Sequence, residues 1–416
     1  MSGSAFSQER QEILEDFVNL ETPCDAEAIS EAWSRHYSAL SRSRGIFVVT
    51  DSIQEKKLPG NHDFGESGFL RCWMSSSRLL LIQNREGASE FRYSSPVFCD
   101  TNFASFCEAF EAGRSLGAHQ AGFEAAVKFL LPLSKGVNIF PYLIENAENS
   151  NREKVHATIQ AFAAFKLTPP ESFSEKNRFT HDGSPYSAEQ IADGCLKAMA
   201  GPDFKVLHTW MKRYYLWARI VLLKSTRLVF QHKEVTLERR YYALIQFLHE
   251  EMARLPQFET FVGYRFFTLS AREPFFQGVQ QNARALNRTL SSMAWDLAHW
   301  RALFEMLLIH SIIGSLPAFP IPHFLTFDEP FVRLTDGLRL NGLIYDQVRR
   351  RTEQIPSGIA LSVSKLLNSA CKEFIGPKAR EDRSRRALRD EQLEEKLIAV
   401  EAELARELES HKESGS

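Results

Sequence analysis

Two acidic residues stand directly after short apolar runs of the buried-strand type. Asp100 follows the run Pro-Val-Phe-Cys at 96–99, and Asp328 comes two residues after the run His-Phe-Leu-Thr at 323–326. In an open parallel sheet, functional groups gather at the carboxyl ends of the strands. Carboxylate oxygens are the ligands that hard cations such as Mg²⁺ and Mn²⁺ prefer. The pattern therefore predicts a divalent metal site that these two acids help to build.

The chemistry of such a site would be phosphodiester hydrolysis. Two divalent ions about 4 Å apart activate a water molecule and stabilise the oxygen that leaves the phosphorus. Holding them takes three or four converging carboxylates and needs neither His nor Cys. An Asp-x-Asp phosphatase is disfavoured, because position 102 is Asn.

Four acids stand in contexts that resemble the motifs of PIN-domain nucleases, in the same order along the chain. The first is Asp100 within Val-Phe-Cys-Asp-Thr-Asn, and the second is Glu145, which ends Pro-Tyr-Leu-Ile-Glu 45 residues later. The third is Asp296 within Trp-Asp-Leu-Ala-His, and the fourth is Asp328 within Thr-Phe-Asp. The resemblance covers about 96–150 and 290–345. Glu145 and Asp296 are 151 residues apart, further than is usual in the family, so the chain must carry a long insertion.

The resemblance implies a fold, an activity and a site. The expected fold is α/β, a PIN-like parallel sheet flanked by helices. The expected activity is that of a Mg²⁺- or Mn²⁺-dependent nuclease that acts on RNA rather than DNA, in the manner of many toxin and defence proteins. Asp100, Glu145, Asp296 and Asp328 would hold the metal ions. Asn102 and Thr326 would orient the carboxylates and water.

Each of these residues also has a structural interpretation. Asp100 and Asp328 can cap a helix or a turn, since short polar side chains bond nearby backbone N–H groups. Glu145 can be a solvated helix residue, with Glu148 as a competitor for its role. Asp296 can form an ion pair with Arg301 or His299. Two alternatives therefore stay open: a catalytically degenerate PIN-like scaffold that binds nucleic acid or protein, and a mainly helical interaction protein.

The elements that must position these acids divide the chain into four regions. Residues 1–90 are expected to form a helical cap that includes a short strand at 46–49, and residues 91–150 with 290–350 the catalytic core. Residues 151–289 form a helical insertion. Residues 378–416 form an amphipathic or coiled helix, because Leu393, Leu397, Val400, Leu404 and Leu408 repeat at heptad-like spacing. Apolar spacing predicts helices over 103–113, 119–131, 153–166, 187–199, 204–230, 236–253 and 276–312.

The insertion supplies the best candidate surface for nucleic acid. Its basic residues can neutralise phosphates, and its aromatic residues can stack on unpaired bases. The basic set is Lys205, Lys212, Arg213, Arg219, Lys224, Arg227, Lys233, Arg239 and Arg240, and the aromatic set is Trp210, Tyr214, Tyr215 and Trp217. The alternative is that the aromatic residues form core and the charges form the solvated face of the same helices.

Composition limits the remaining classes of protein. The chain has 416 residues, 44% of them hydrophobic and 25% charged, which excludes wholesale disorder. Its formal net charge of -2 requires any polyanion site to be a local basic patch. Charges at positions 219, 224 and 227 interrupt the most apolar helical stretch, so no membrane span is expected. Six cysteines without a CxxC pair predict reduced thiols and a cytoplasmic protein. Self-association through the C-terminal helix is a further expectation.

Overall fold

A computed structural model describes residues 46–49, 62–65, 67–72, 93–180, 187–231, 235–269, 273–280, 285–313, 319–336, 340–346, 351–356, 371–374 and 376–414. The chain divides into two compact units. The first unit comprises Met1–Gly201, Leu303–Val332 and Leu338–Ser357. The second comprises Pro202–Ala302, Arg333–Gly337 and Gly358–Ser416.

The described part of the chain is mostly helical and contains short strands. The strands are β1 (Ile46–Val49), β2 (His62–Phe64), β3 (Gly68–Cys72), β4 (Tyr93–Ser94), β5 (Val97–Cys99), β6 (Val137–Asn138), β7 (Phe319–Pro320), β8 (His323–Thr326), β9 (Leu340–Asp346) and β10 (Arg351–Pro356). The α-helices are α1 (Thr101–Glu111), α2 (Gln120–Leu130), α3 (Phe140–Glu145), α4 (Arg152–Leu167), α5 (Pro170–Lys176), α6 (Ala188–Met199), α7 (Pro202–Gln231), α8 (Leu237–Glu250), α9 (Gln257–Leu269), α10 (Leu286–Ile313), α11 (Glu329–Asp336), α12 (Pro377–Arg385) and α13 (Asp390–Ser414).

The first unit is built on a five-stranded sheet in the order β2-β3-β8-β5-β6. The strands β8, β5 and β6 run parallel, with Val97 opposite both His323 and Val137. The strands β3 and β2 run antiparallel to their neighbours. The expectation of a wholly parallel sheet was therefore wrong: the sheet is mixed, and helices flank it. A hairpin supplies the two antiparallel strands, and a tight connection can only reverse the chain direction.

The core of the first unit is a cluster of phenylalanines between the sheet and its helices. Phe103 on α1 is fully buried and contacts the rings of Phe123, Phe165 and Phe327 at centroid distances of 5.5, 5.7 and 6.4 Å. These rings come from α2, α4 and the segment after β8. Aromatic packing of this kind anchors α1, whose first residue directly follows the candidate acid Asp100.

The region 1–90 contains strands in its described part. The strand predicted at 46–49 is present as β1, and it forms an antiparallel sheet with β9 and β10 in the order β1-β9-β10. The described segment before Gly65 contains β2. Residues 1–45 of the predicted cap lie outside the described residues. The predicted helical cap therefore stays a prediction.

The predicted helices of the central region correspond closely to α4, α6, α7 and α8. The helix expected over 276–312 begins later, at Leu286, after a 3₁₀ turn at Pro274–Phe276. Helix α9 had not been predicted. In the part of the chain that the structure describes, no helix combines the length and apolar character that crossing a membrane requires. The five cysteines described there are free thiols.

Helix α13 packs along α7 within the second unit. Its apolar residues Leu393, Val400 and Leu404 are buried, as the heptad-like spacing predicts for a docked amphipathic helix. Ile398 lies on the opposite side and is 67% exposed. The apolar stripe of α13 is therefore occupied within the chain.

Acidic residues of α13 neutralise basic residues of α7. The pairs are Lys212–Glu394 at 2.8 Å, Arg213–Asp390 at 3.3 Å, Arg219–Glu401 at 2.6 Å and Arg227–Glu403. Arg219 is only 6% exposed and also donates to the carbonyl oxygen of Asn287. Four of the basic residues predicted to face nucleic acid thus have acidic partners in the same unit.

Leu404→Ala tests whether the stripe of α13 is a folding contact. Truncating this buried side chain should lower the free energy of unfolding by about 2–5 kcal/mol, because it removes apolar contact and leaves a cavity. Urea denaturation measures the change. Ile398→Ala is the matched control and should change stability by less than about 0.5 kcal/mol. An equal loss in Ile398→Ala, with dissociation in sedimentation, would instead assign α13 to self-association.

Candidate acidic site

Asp100 lies at the carboxyl end of β5 and begins α1. Its backbone N–H donates to the carbonyl oxygen of Leu325 at 2.9 Å, which extends the parallel pairing of β5 with β8 by one residue. Its Oδ1 accepts from the backbone N–H of Phe103 at 2.7 Å, so Asp100 is the N-cap of α1. The side chain is 6% exposed. The cap interpretation of Asp100 is therefore correct, although it accounts for only one of the two carboxylate oxygens.

The second carboxylate oxygen of Asp100 is held by the end of β8. Oδ2 accepts from Thr326 Oγ1 at 2.8 Å and from the backbone N–H of Phe327 at 3.2 Å. Asn102 Nδ2 lies 3.4 Å from the same oxygen, and its side chain is exposed. Thr326 is buried. It holds a carboxylate in place, as predicted, and Asn102 makes only a long contact.

Glu145 reaches the site from the third parallel strand. The strand β6 leads through one residue, Ile139, into α3, and Glu145 is the last residue of that helix. Thr101 Oγ1 donates to Glu145 Oε1 at 2.7 Å. The carboxyl group is half-buried. Asp100 and Thr101 are adjacent in the chain. Asp100 contacts the end of β8 and Thr101 contacts the end of α3, so these elements meet β5 at one edge of the sheet.

Asp328 lies two residues beyond β8. Its backbone N–H donates to Thr326 Oγ1 at 3.1 Å, and its Oδ1 accepts from the backbone N–H of Phe331 at 2.9 Å, near the start of α11. The side chain is half-buried. Asp328 is therefore a helix-capping residue like Asp100, and Thr326 links the two acids.

Burial raises the pKa of each of the three acids, and the charge of a neighbouring acid adds to the rise at Asp100 and at Glu145. Burial raises the pKa of Asp100 to about 6, against the opposing effect of its hydrogen bonds, and the charge of Asp328 contributes to the rise. Burial and the charge of Asp100 raise the pKa of Glu145 to about 7. Burial also raises the pKa of Asp328. The ionised site is electrostatically costly, which is the property that a bound cation relieves.

Asp296, the fourth predicted acid, belongs to the second unit, whereas the other three belong to the first. It is half-buried on α10. The neighbouring Trp295 stacks on Tyr215 at 4.4 Å and on His299 at 5.7 Å. His299 is buried, and burial lowers its pKa to about 3. His299 is therefore neutral and packs against Trp295. A role for Asp296 in a metal site stays a prediction.

Thr101 is the residue of the site that the sequence had not singled out. Its hydroxyl positions Glu145, yet the Asp-Thr-Asn pattern alone does not tell which partner the threonine meets. Part of this role could have been predicted from the sequence. A hydroxyl residue directly after an acid that ends a strand begins the helix and lies beside the next parallel strand.

The donor set suits Mg²⁺ or Mn²⁺, with few protein ligands. Among the residues that the structure describes, no three His, Cys, Asp or Glu side chains are arranged to ligate one metal ion. Mg²⁺ is commonly bound through one or two carboxylates, with water and substrate phosphate oxygens completing its octahedron. Asp100 and Glu145 are two carboxylates with hard oxygen donors, and the charge of Asp100 raises the pKa of Glu145. That they bind a cation stays a prediction.

Comparisons with known proteins do not place this chain in a family: no protein-family model, no curated protein and no solved structure matches it significantly. Assignment of a function therefore depends on the geometry of the acids. That geometry comprises a buried carboxylate, a second carboxylate coupled to it, and hydroxyl groups that hold both in place.

The pH dependence of stability tests the environment of Asp100. Its pKa rises from 3.8 to about 6 on folding, so the folded state retains the proton longer than the unfolded state. The free energy of unfolding should then fall as pH rises from about 4 to about 6. Relative to Asp100→Asn, wild type should lose roughly 2 kcal/mol over this window, out of a full difference of about 3 kcal/mol at about 1.4 kcal/mol per pKa unit.

Urea denaturation of both proteins at pH 4, 5, 6 and 7 measures this difference. Contributions common to both proteins cancel, including that of the buried His323, whose pKa burial lowers to about 4. An ordinary cap, whose pKa folding lowers, gives wild-type stability that rises with pH relative to the variant. That opposite slope would contradict the assignment of Asp100 to a strained, desolvated site.

Proposed function

We propose that this chain is a divalent-metal-dependent nuclease with a PIN-like core, and that its substrate is RNA. The observation that carries the proposal is that Asp100, at the carboxyl end of β5, raises the pKa of Glu145, which ends α3 and accepts a hydrogen bond from Thr101. Burial of acids that also repel one another is unfavourable for folding alone. Such an arrangement is typical of sites that bind cations and perform chemistry.

The order of strands supports the PIN-like core. In the sheet, β5 lies between β6 and β8, so the chain leaves β5 toward one side and returns on the other. Ligands of open α/β sheets bind at such a switch point, outside the carboxyl ends of the strands. Asp100 and Asp328 flank this point, and Glu145 approaches it from β6. The antiparallel strands β3 and β2 continue the sheet on the other side of β8, with Phe69 of β3 opposite Thr326.

The proposed mechanism divides the work between cation and protein. A bound Mg²⁺ or Mn²⁺ supplies positive charge opposite the phosphodiester and makes nearby water more acidic. Asp100, fixed by Thr326 and the N–H of Phe327, holds its position without further rearrangement. Glu145 has a pKa of about 7, close to neutral pH, which suits a general base that takes a proton from the attacking water. Thr101 orients that carboxyl group.

RNA is the proposed partner, and the first half of α7 is the proposed contact surface. Four basic residues of α7 are paired with α13, but Lys205 is exposed at the start of the helix. Trp210 and Tyr214 are half-buried, and their rings meet edge to face at 5.0 Å. Val206 is 69% exposed beside them. Half-exposed aromatic rings offer stacking faces to unpaired bases.

A second candidate function is a PIN-like scaffold that binds RNA or protein without cutting it. The observation in its favour is that Asp100 and Asp328 both cap helices, through Phe103 and Phe331. Capping gives both acids a structural role that needs no metal. Glu145 lies at the end of α3 rather than at the start of a helix, and the charge of Asp100 contributes to the rise in its pKa, so a substitution there separates the two candidates.

Mn²⁺ binding and RNA cleavage test the nuclease proposal. At one hundred times its dissociation constant, Mn²⁺ should stabilise wild type by about 2.7 kcal/mol in a thermal melt. The shift should be larger at pH 8 than at pH 6, because Mn²⁺ must displace a proton from Glu145. Glu145→Gln should lose most of the shift and reduce cleavage of a mixed single-stranded RNA pool by about 10²-fold or more.

Glu153→Gln is the matched control, since Glu153 is an exposed glutamate of α4 in the same unit. It should keep the wild-type Mn²⁺ shift and activity. Metal-independent melting of wild type would exclude the metal site. Retained Mn²⁺ binding without cleavage of any RNA would favour the scaffold. Asp296→Asn tests the fourth acid separately, and wild-type behaviour of this variant would remove Asp296 from the site.

Two variants of α7 test the RNA surface. Trp210→Ala should weaken binding of single-stranded RNA by about 1–3 kcal/mol through loss of stacking. Lys205→Glu should flatten the logarithmic salt dependence by about 0.7 per lost phosphate contact. Fluorescence anisotropy at several salt concentrations, in EDTA to prevent cleavage, measures both. Unchanged affinity and slope in both variants would show that α7 does not contact RNA.

A further inference from the structure

A cavity of about 830 Å³ opens at the C-terminal end of α1. Its walls come from the turn after α1, the start of α2 and the segment that follows α5, all in the first unit. The residues that matter for its chemistry are Phe110, Arg114, Gln120, Lys176 and Arg178. The volume lies within the range of small-molecule sites, about 300–1,000 Å³.

The cavity combines an aromatic floor with walls that carry three cations, Arg114, Lys176 and Arg178, and one acid, Glu111. Phe110 is half-buried and rests on Phe179 and Phe123 at centroid distances of 5.1 and 5.4 Å, so the phenylalanine core holds it in place. A ring fixed from below offers its remaining surface for stacking. Arg114 and Arg178 bring guanidinium groups, which suit phosphate oxygens.

Folding explains some of these cations but not all. The C-terminal ends of α1 and α5 border the cavity, and their partial negative charge stabilises nearby Arg114 and Lys176. Arg114 also pairs with Glu108. Arg178 lies beyond Asn177, the residue that ends α5, and its exposed side chain forms no ion pair with any residue that the structure describes. Arg178 is therefore available to an anion.

Helix α1 connects this cavity to the acids. Asp100 caps its N-terminus, and the cavity lies at its C-terminus. Eleven residues at 1.5 Å each make a helix about 16 Å long. At about 3.4 Å per stacked nucleotide, that distance corresponds to roughly five nucleotides of a single strand.

We infer that the cavity beside Phe110 and Arg178 binds one nucleotide of the single-stranded RNA substrate, several nucleotides away from the phosphodiester held at Asp100. The base stacks on Phe110, and its phosphate pairs with Arg178. The distance between the cavity and the cleaved phosphodiester rests on the proposed nuclease function. Binding of a nucleotide in the cavity does not depend on that function. A nucleotide alone should therefore occupy the cavity.

Binding of AMP and of oligoadenylates to the full chain in EDTA tests this assignment. AMP should bind wild type, and Arg178→Glu should weaken it about tenfold, the effect of losing one charged hydrogen bond. A ten-nucleotide oligoadenylate should bind through the same cavity, so AMP should displace it. Arg178→Glu should weaken its binding about as much as it weakens that of AMP.

Lys128→Glu is the control, since Lys128 is an exposed cation of α2 that does not line the cavity. It should leave AMP affinity unchanged, and both variants should melt like wild type. Equal AMP affinity in wild type and Arg178→Glu, or no AMP binding, overturns the assignment. AMP binding with which the ten-nucleotide strand does not compete also overturns it, because the strand then does not use the cavity. Because no metal is present, these outcomes are independent of whether the protein cleaves RNA.

Discussion

The hydrogen bond from Thr326 Oγ1 to Asp100 Oδ2 is the interaction on which the site depends. It joins residues 226 positions apart and closes the gap between β5 and β8 beyond their last paired residues. The carboxylate of Asp100 is buried, so water cannot take the place of a lost hydrogen-bond donor. Removing one donor would leave a lone pair of this carboxylate without a hydrogen bond, at a cost of about 1–3 kcal/mol. Asp100 therefore holds the ends of β5 and β8 together, and these strand ends in turn hold Asp100 in place.

Local pattern predicted the elements that carry this interaction. The runs at 96–99 and 323–326 are short, continuous and apolar, which is typical of strands buried on both faces, and both are strands. Amphipathic spacing likewise predicted most of the helices, because each buries one stripe. The position of Asp100 at a strand end followed directly. The nearness of Glu145 and Asp328 to Asp100 rested on the order of motifs, which local pattern alone does not provide.

The remaining features depend on contacts between distant segments. Helix α9 was missed because its buried residues lie on several sides and form no single apolar stripe that would indicate a helical repeat. They include Phe258, Phe261, Val262, Phe266 and Phe267. Its Gly263 allows close approach to α8, since a Cβ there would lie 2.2 Å from Leu244. The basic face of α7 looked like a polyanion surface because its partners lie on α13, more than 170 residues later. The antiparallel pairing of β3 with β8 is likewise a contact between segments far apart in the chain.

Capping and catalysis make different demands on the three acids. A helix N-cap needs one side-chain acceptor, which Asp100 and Asp328 supply through Oδ1. The same geometry would persist in a protein that had lost its chemistry. Glu145 is different, because its contact with Thr101 caps no helix, while the charge of Asp100 makes its ionised form less stable. A glutamine at 145 could accept the Thr101 hydrogen bond without that repulsion. A cation bound beside Asp100 and Glu145 would favour both ionised forms, an effect that a glutamine at 145 could not reproduce.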